Sequence, residues 1–208
     1  MEVFGSYTVD SLVRAGIGNI VLIDNALIDV TNLNSNLMAD TKVVGKYKVE
    51  IAKKRLLDVN PNLNIKVVKE YINKENAPRL VLNNFDYIVD TIDSLADKLA
   101  LIVESKRKNI PIISSMGTGD KFDPTQFEVS DISKVKDCSF ANLLKAELKK
   151  NEIEHLKIIY SKEKTTRFRS TEETYKSKMS SISFVPSIVG IIISSEVVKD
   201  LIEIHNRK

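Results

Sequence analysis

Asn19-Ile20-Val21-Leu22-Ile23-Asp24 is a short apolar run closed by a carboxylate. That is the pattern of a strand buried on both faces of a parallel sheet. On its N-terminal side, Ser6 to Ala15 predicts a helix with Val9, Leu12 and Val13 on one side, stopped by Gly16-Ile17-Gly18. On its C-terminal side, Val44 to Val59 predicts a second helix. Val49, Ala52, Leu56 and Val59 share one face, and Asn60-Pro61 ends it. Ile65 to Val68 reads as the next strand and Lys74 to Leu82 as a short helix. Tyr87-Ile88-Val89-Asp90-Thr91-Ile92-Asp93 is a strand running into two carboxylates. Ser94 then caps a helix to Lys108 with Leu95, Leu99, Ile102 and Val103 inward. Ile110 to Ser114 is a further buried strand. This alternation predicts a parallel sheet with right-handed crossovers.

The pattern changes after Gly117-Thr118-Gly119. Gln126 to Val129 alternates, as an antiparallel strand does. Ala141 to Lys150 predicts a helix and Leu156 to Tyr160 a strand. Ser161 to Lys178 is polar and aperiodic, the signature of a mobile loop. Val185 to Ile204 predicts a final helix, apolar on most sides and carrying Ser187, Gly190, Ser194 and Ser195. Such a helix is buried in the core or against a second subunit. The expected fold class is α/β: a Rossmann-like, mostly parallel sheet with helices on both faces and an antiparallel extension in the C-terminal half. No repeat or linker divides the chain.

Composition narrows the function classes. The chain has 208 residues, 43% hydrophobic and 28% charged, enough for a sizeable core without staples. Its net charge of +3 does not by itself announce nucleic-acid binding. A single cysteine, Cys138, excludes an internal disulfide framework and a four-cysteine zinc site. Ile182 to Val198 is broken by polar residues, so no membrane span is expected. Met1 to Gly5 has neither the basic start nor the apolar core of a signal peptide, which makes the cytoplasm the expected location.

Ligands of open α/β sheets bind beyond the carboxyl ends of the strands. Asp24, Asp90 and Asp93 stand at two such ends. Asp24 fits a nucleotide ribose or, equally in kind, a turn cap. Asp90 and Asp93 fit Mg²⁺, a cation that takes oxygen ligands, or an N-cap and a solvated end. Lys48 lies at the start of a helix, where a cation gains nothing from the dipole. That placement fits an anionic partner or a wet surface. A nucleotide-binding βαβ unit also has a glycine-rich turn after its first strand. Here Val3-Phe4-Gly5-Ser6 offers one glycine ahead of the first helix.

As an ordered set, five segments resemble the ubiquitin-activating-enzyme-like adenylating proteins, the MoeB/ThiF/HesA superfamily. They are Arg14 to Asp24, Val30-Thr31-Asn32-Leu33-Asn34, Val44 to Glu50, Asn60-Pro61-Asn62 and Val89 to Ser94. Ser115-Met116-Gly117-Thr118-Gly119, Asp123 to Gln126 and Ser181 to Ser187 are similar to its tRNA threonylcarbamoyladenosine dehydratase branch. The resemblance covers nearly the whole chain and implies a single ThiF-type nucleotide-binding domain over 1–208, its N-terminal strand and glycine loop truncated. It implies ATP and Mg²⁺, adenylation of a tRNA-borne carboxylate with pyrophosphate release, and cyclisation with net loss of water. By position, Asp24 matches the ribose-binding aspartate. Lys48 matches the lysine on the ATP phosphates, and Asp93 the metal-associated aspartate. Asn32 lies in the loop lining the nucleotide, and Gly5 is the sole counterpart of the phosphate-loop glycines. Lys48 and Asp93 are the implied catalytic pair, and a homodimer is implied as well.

Departures accompany the likeness. The family's Gly-x-Gly-Gly-x-Gly turn and its N-terminal arm have no counterpart here. Ala26 replaces a second aspartate, and Asn34-Ser35-Asn36 replaces Asn-Arg-Gln, so a phosphate-site arginine is gone. Serine supplies neither the charge nor the fork of an arginine. The strand ahead of the first helix would lie mid-sheet by resemblance. Glu2-Val3-Phe4 leaves it three residues at most, so a weakened sheet centre with exposed edges is expected.

Cys138 resembles a family cysteine ahead of a helix. It is either a reactive thiol, with a sulfur-relay or redox partner protein, or a half-buried apolar residue. Lys145, Lys149, Lys150, Lys157, Lys162, Lys164, Arg167, Arg169, Lys176 and Lys178 fit a tRNA surface or, with their interleaved glutamates, a solvated face. Three alternatives to the dehydratase stand beside it. One is a truncated, catalytically impaired pseudoenzyme of the same family. Another is an adenylase activating a ubiquitin-like sulfur carrier, against which the lack of Cys-x-x-Cys pairs argues. The last is an NAD(P) dehydrogenase, supported by Asp24 and the α/β pattern alone.

Overall fold

The computed structural model describes residues 3–164 and 181–206. In chain order it contains α1 (Val3–Arg14), β1 (Asn19–Ile23), α2 (Lys48–Val59), β2 (Asn64–Val68), α3 (Ala77–Leu80) and β3 (Ile88–Asp90). These are followed by α4 (Leu95–Arg107), β4 (Ile112–Ser115), β5 (Phe127–Asp131), α5 (Ser139–Lys150), β6 (Lys157–Ser161) and α6 (Phe184–Asn206). The expected loop from Ser161 begins one residue late, because Ser161 ends β6. Most of that segment lies outside the described residues.

The strands form two sheets. β1 pairs with β2 in parallel, Asn19 opposite Asn64. The other sheet has the order β3-β4-β6-β5, with β3, β4 and β6 parallel and β5 antiparallel to β6. No ladder joins β1 to β3, so the sheet is interrupted where the sequence predicts weakness. One detail is corrected. Val3 and Phe4 do not remain as a stub of strand, and Gly5 does not stand in a loop. All three belong to the first turn of α1, three residues ahead of the predicted start at Ser6.

Other boundaries shift for local reasons. α2 begins at Lys48 rather than Val44, because residues 43–47 are folded back on 26–28. Gly45 donates to the Ile28 carbonyl at 2.8 Å with φ of 82°, and Leu27 bridges Tyr47. A positive φ suits glycine there, since it has no Cβ to clash. α3 is confined to Ala77–Leu80 because Asn73 and Asn76 exchange side-chain bonds with each other's backbone, replacing a helical turn. α4 ends in a Schellman-type turn. Asn109 takes a φ of 55°, and the Ile110 N–H returns to the Ser105 carbonyl at 3.0 Å. That return leaves β4 to start at Ile112.

Alternation along β4 and β6 divides the larger core into two layers. Ile112 and Ile158 face α4 and α5, with Leu101, Ile102, Leu144 and Leu148. Ile113 and Ile159 face α6, with Val185, Val189 and Ile193. A third cluster lies between α1, α2 and the β1–β2 sheet, around Val49, Ala52 and Leu56. α6 is therefore buried in the core on one side, through Val185, Val189, Ile193 and Val197. At the N-terminal ends of the larger sheet, Asp200 of α6 accepts from Tyr87 Oη at 2.6 Å and from Lys157 Nζ at 2.6 Å.

Two outcomes follow from this architecture. In hydrogen exchange, the β1 amides bonded to β2 exchange slowly and those facing β3 exchange fast; uniform strong protection across Asn19 to Ile23 would contradict an open edge. The second concerns Glu104, which is buried on α4. The hydrogen bond from Arg107 lowers its pKa most, burial opposes it and Lys108 adds to the lowering, so the carboxyl sits at about 2 instead of 4.5. A depressed folded-state pKa stabilises above the unfolded value and is lost as pH falls. Glu104→Gln is therefore less stable than the parent at pH 7, and the gap closes as pH drops from 4.5 toward 2 in urea melts.

Candidate functional site

The β1–β2 sheet brings Asp24 and Lys48 into one short turn. Asp24 follows β1, is buried, and accepts the Ala26 N–H through Oδ1 at 2.7 Å. The Ala26 carbonyl accepts the Lys48 N–H at 3.0 Å. Lys48 is only 6% exposed. Its side chain makes no hydrogen bond or ion pair among the described residues. The stem is covered while the ammonium reaches solvent, since Nζ is not one of the buried polar atoms that lack a partner. A cation at a helix N-terminus gains nothing from the dipole, a placement that fits an anionic partner.

Asn32 closes a turn of 3-10 helix over Val30–Asn32. Its Oδ1 accepts the Asp29 N–H at 3.1 Å, while Asp29 Oδ1 accepts the Thr31 N–H at 2.8 Å. The loop then returns to the start of α1, where Ser6 Oγ accepts the Leu37 N–H at 3.0 Å. Between them stands Asn36, buried, with Oδ1 accepting the Met38 N–H and Nδ2 lacking a partner among the described residues. An orphaned buried donor costs about 1–3 kcal/mol, which an incoming acceptor removes. Asn36 is a functional candidate that the sequence reading passed over, since it stood out there only as a departure from the family triplet. Gly5 is buried beside Ser6 in the first turn of α1.

The two aspartates after β3 part company. Asp90 is fully buried and committed to Lys98, Ser114 and the Ile92 N–H. It is thereby removed as a metal ligand. Asp93 is exposed in the segment between β3 and α4. No group of three metal-ligating side chains occurs among the described residues. One carboxylate suits Mg²⁺ when substrate phosphates complete its shell, and does not suit a metal caged by protein alone. Ile23 at the end of β1 and Ile92 beyond β3 pack on the same core cluster, which sets the two strand ends on one side of the molecule.

Cys138 is half-buried at the N-cap of α5 and packs against the α4–α5 core, as the apolar reading expects. His155 is exposed and meets Asp131 at 3.2 Å, and His205 is exposed near the end of α6. Much of the basic series is engaged: Lys145 with the Val135 carbonyl, Lys150 with Glu147, Lys157 with Asp200 and Lys162 with Glu128. Arg167, Arg169, Lys176 and Lys178 lie outside the described residues. A cavity of about 300 Å³ between β5, β6 and α6 is lined by Asp131, Lys157 and Glu196. It opens at the opposite ends of the strands from Asp24 and Asp93, away from where such sheets bind ligands.

A parallel α/β arrangement with a carboxylate after its first strand and a lysine opening the next helix is a fold of the Rossmann type. The chain belongs to the ThiF family, whose match runs over residues 3–208. It is 34% identical over 211 residues to the tRNA threonylcarbamoyladenosine dehydratase of Bacillus subtilis (strain 168), covering 96% of this chain and 83% of that one. The Escherichia coli (strain K12) dehydratase is 35% identical over 145 residues, 70% of this chain and 54% of that one. The solved E. coli enzyme, TcdA, in complex with AMP superposes with a TM-score of 0.89 at 27% identity, over 99% of this chain and 85% of that one. The same enzyme in complex with ATP gives 0.85 over 98% and 83%.

Lys48→Met keeps the length of the side chain and removes a positive charge from the first turn of α2. The expected result is a ligand-free protein that melts at the parent's midpoint or slightly above it, since a cation at that end opposes the helix dipole. Differential scanning calorimetry checks it; a clearly lower midpoint would show that the Lys48 ammonium stabilises the ligand-free protein.

Proposed function

We propose that this chain is an ATP-dependent tRNA threonylcarbamoyladenosine dehydratase. The observation that carries the reading is Lys48, a largely covered lysine opening α2 with no counter-ion among the described residues, tied through Ala26 to Asp24. Residues 1–208 act as a single nucleotide-binding domain. Asp24 takes the ribose hydroxyls and Lys48 the phosphates. Asn32, Asn36 and the first turn of α1 around Gly5 line the remainder. Asp93 would hold Mg²⁺ together with the phosphates, and the ion would supply positive charge for the leaving pyrophosphate.

The chemistry is leaving-group activation. A carboxylate is a poor electrophile. Its oxygen attacks the α-phosphorus of ATP, pyrophosphate departs, and the acyl-adenylate then loses AMP as the side chain closes on itself. Summed over both steps, the tRNA loses one water. Lys48 holds a positive charge where negative charge accumulates on the phosphates.

The tRNA is the substrate, and the cytoplasm follows from it. A homodimer is supported by the outer face of α6, where Phe184, Ile188, Ile191 and Ile202 are exposed and apolar. No helix among the described residues is long and apolar enough to cross a membrane. A thiol role of Cys138 toward a sulfur-relay or redox protein has less support, because that side chain packs into the core edge. The relatives do not favour the impaired-pseudoenzyme reading. The sulfur-carrier reading has partial relatives in its favour, such as the adenylyltransferase and sulfurtransferase UBA4 of Meyerozyma guilliermondii, 36% identical over 51% of this chain.

Calorimetric titration with ATP and Mg²⁺ tests the proposal. Saturable binding, lost in Lys48→Ala, followed by pyrophosphate release on adding threonylcarbamoyladenosine-containing tRNA, is expected. No binding by a folded sample would return the pseudoenzyme. Release only with a carrier protein ending in Gly-Gly would favour the sulfur-carrier activity. Sedimentation as a monomer at high concentration would remove the dimer.

A further inference from the structure

Asp90, Lys98 and Ser114 have 0% exposure, and their polar atoms meet only one another and the backbone. Asp90 is the last residue of β3 and lies directly across from Ser114 on β4. Lys98 comes from the first turn of α4. Lys98 Nζ donates to Asp90 Oδ2 at 2.7 Å and to Ser114 Oγ at 3.2 Å, and Ser114 Oγ donates to Asp90 Oδ2 at 2.6 Å. The other carboxylate oxygen, Oδ1, accepts the Ile92 N–H at 2.9 Å.

Stability is a poor reason for this cluster. Two charges are wholly removed from water, an arrangement that a well-packed apolar set of equal volume matches or betters. The cation also stands at the end of a helix that disfavours it. What the cluster does achieve is geometric. Asp90 grips the backbone at Ile92, and its ion pair with Lys98 fixes the first turn of α4, where the ordinary helical bond from the Lys98 N–H to the Ser94 carbonyl closes the segment at 2.9 Å. The segment 91–94 is held on both sides by the two partners of one ion pair, and Asp93 is in its middle.

We propose that the Lys98–Asp90–Ser114 cluster positions Asp93 for the metal-bound nucleotide. Lys98 and Ser114 are positioning residues. They touch neither nucleotide nor metal and act by fixing the backbone that presents the Asp93 carboxylate. This rests on the reading of Asp93 as the metal-associated carboxylate given above. Partners that orient a metal's own ligands commonly change metal affinity by about 10–100-fold.

The test compares ATP binding with Mg²⁺ and in EDTA, by calorimetry, with amide exchange at Ile92 and Asp93 followed in the ligand-free protein. Lys98→Met combined with Asp90→Asn removes both charges together, so no unpaired ion is left inside. The double variant is expected to melt within a few degrees of the parent, to bind metal-free ATP with unchanged affinity, and to lose about tenfold of the gain that Mg²⁺ confers. The Ile92 amide is expected to exchange faster. Should the double variant fail to fold, Ser114→Ala removes one bond and leaves the charge pair, and a smaller loss in the same direction is expected. A full Mg²⁺ gain in whichever variant folds, with Asp93→Asn having lost it, overturns the positioning role alone. A full gain in Asp93→Asn itself overturns the metal reading of Asp93 and the positioning role with it.

Discussion

α1 holds together two sheets that share no backbone ladder. β1 and β3 are not paired, so no continuous set of main-chain bonds runs across the molecule. Side-chain packing must join the halves, and α1 supplies it from opposite sides of one helix. Leu12 enters the cluster shared with α6, while Val9 and Val13 enter the cluster shared with α2, β1 and β2. Ser194 Oγ of α6 donates to the Thr8 carbonyl at 3.0 Å, pinning the two helices with a buried bond. Small residues on α6 serve this approach, since they let α1 come close. The site sits at the same seam: Ser6 in the first turn of α1 holds the loop that carries Asn32 and Asn36.

Polar groups inside the protein fall into two kinds. Asp90, Lys98 and Ser114 saturate one another and make a rigid unit. Among the described residues, Asn36 Nδ2 is buried with no partner, and the Lys48 ammonium makes no bond and reaches solvent. Saturated groups fix a backbone; unsatisfied ones wait for a ligand whose charge and acceptors complete them. The division explains why two aspartates three residues apart have different fates. Asp90 is consumed in holding the end of β3, and Asp93 stands exposed three residues further on.

The strands, helices and their order were legible because apolar periodicity is a local property. The runs at Asn19, Tyr87 and Ile110 each marked a strand. Element ends were less legible, because tertiary bonds set them. Tyr47 stops α2 from starting earlier by bridging Leu27, and Asp90 stops β3 by bonding Ile92. Asp24, Asn32, Lys48 and Asp93 were visible as residue types at strand and helix ends. Lys98 and Asn36 were not, since a buried lysine and a surface lysine are the same letter.

The sequence alone determined the α/β class and the carboxylates at the strand ends, which depend on pattern along the chain, and through its ordered motifs the family and, by that resemblance, the weak centre of the sheet. Tertiary structure decided which charged groups lost their water. Burial depends on what packs against a residue from elsewhere in the chain, and that separated Asp90 from Asp93 and enclosed Lys98 completely while leaving Lys48 covered along its stem.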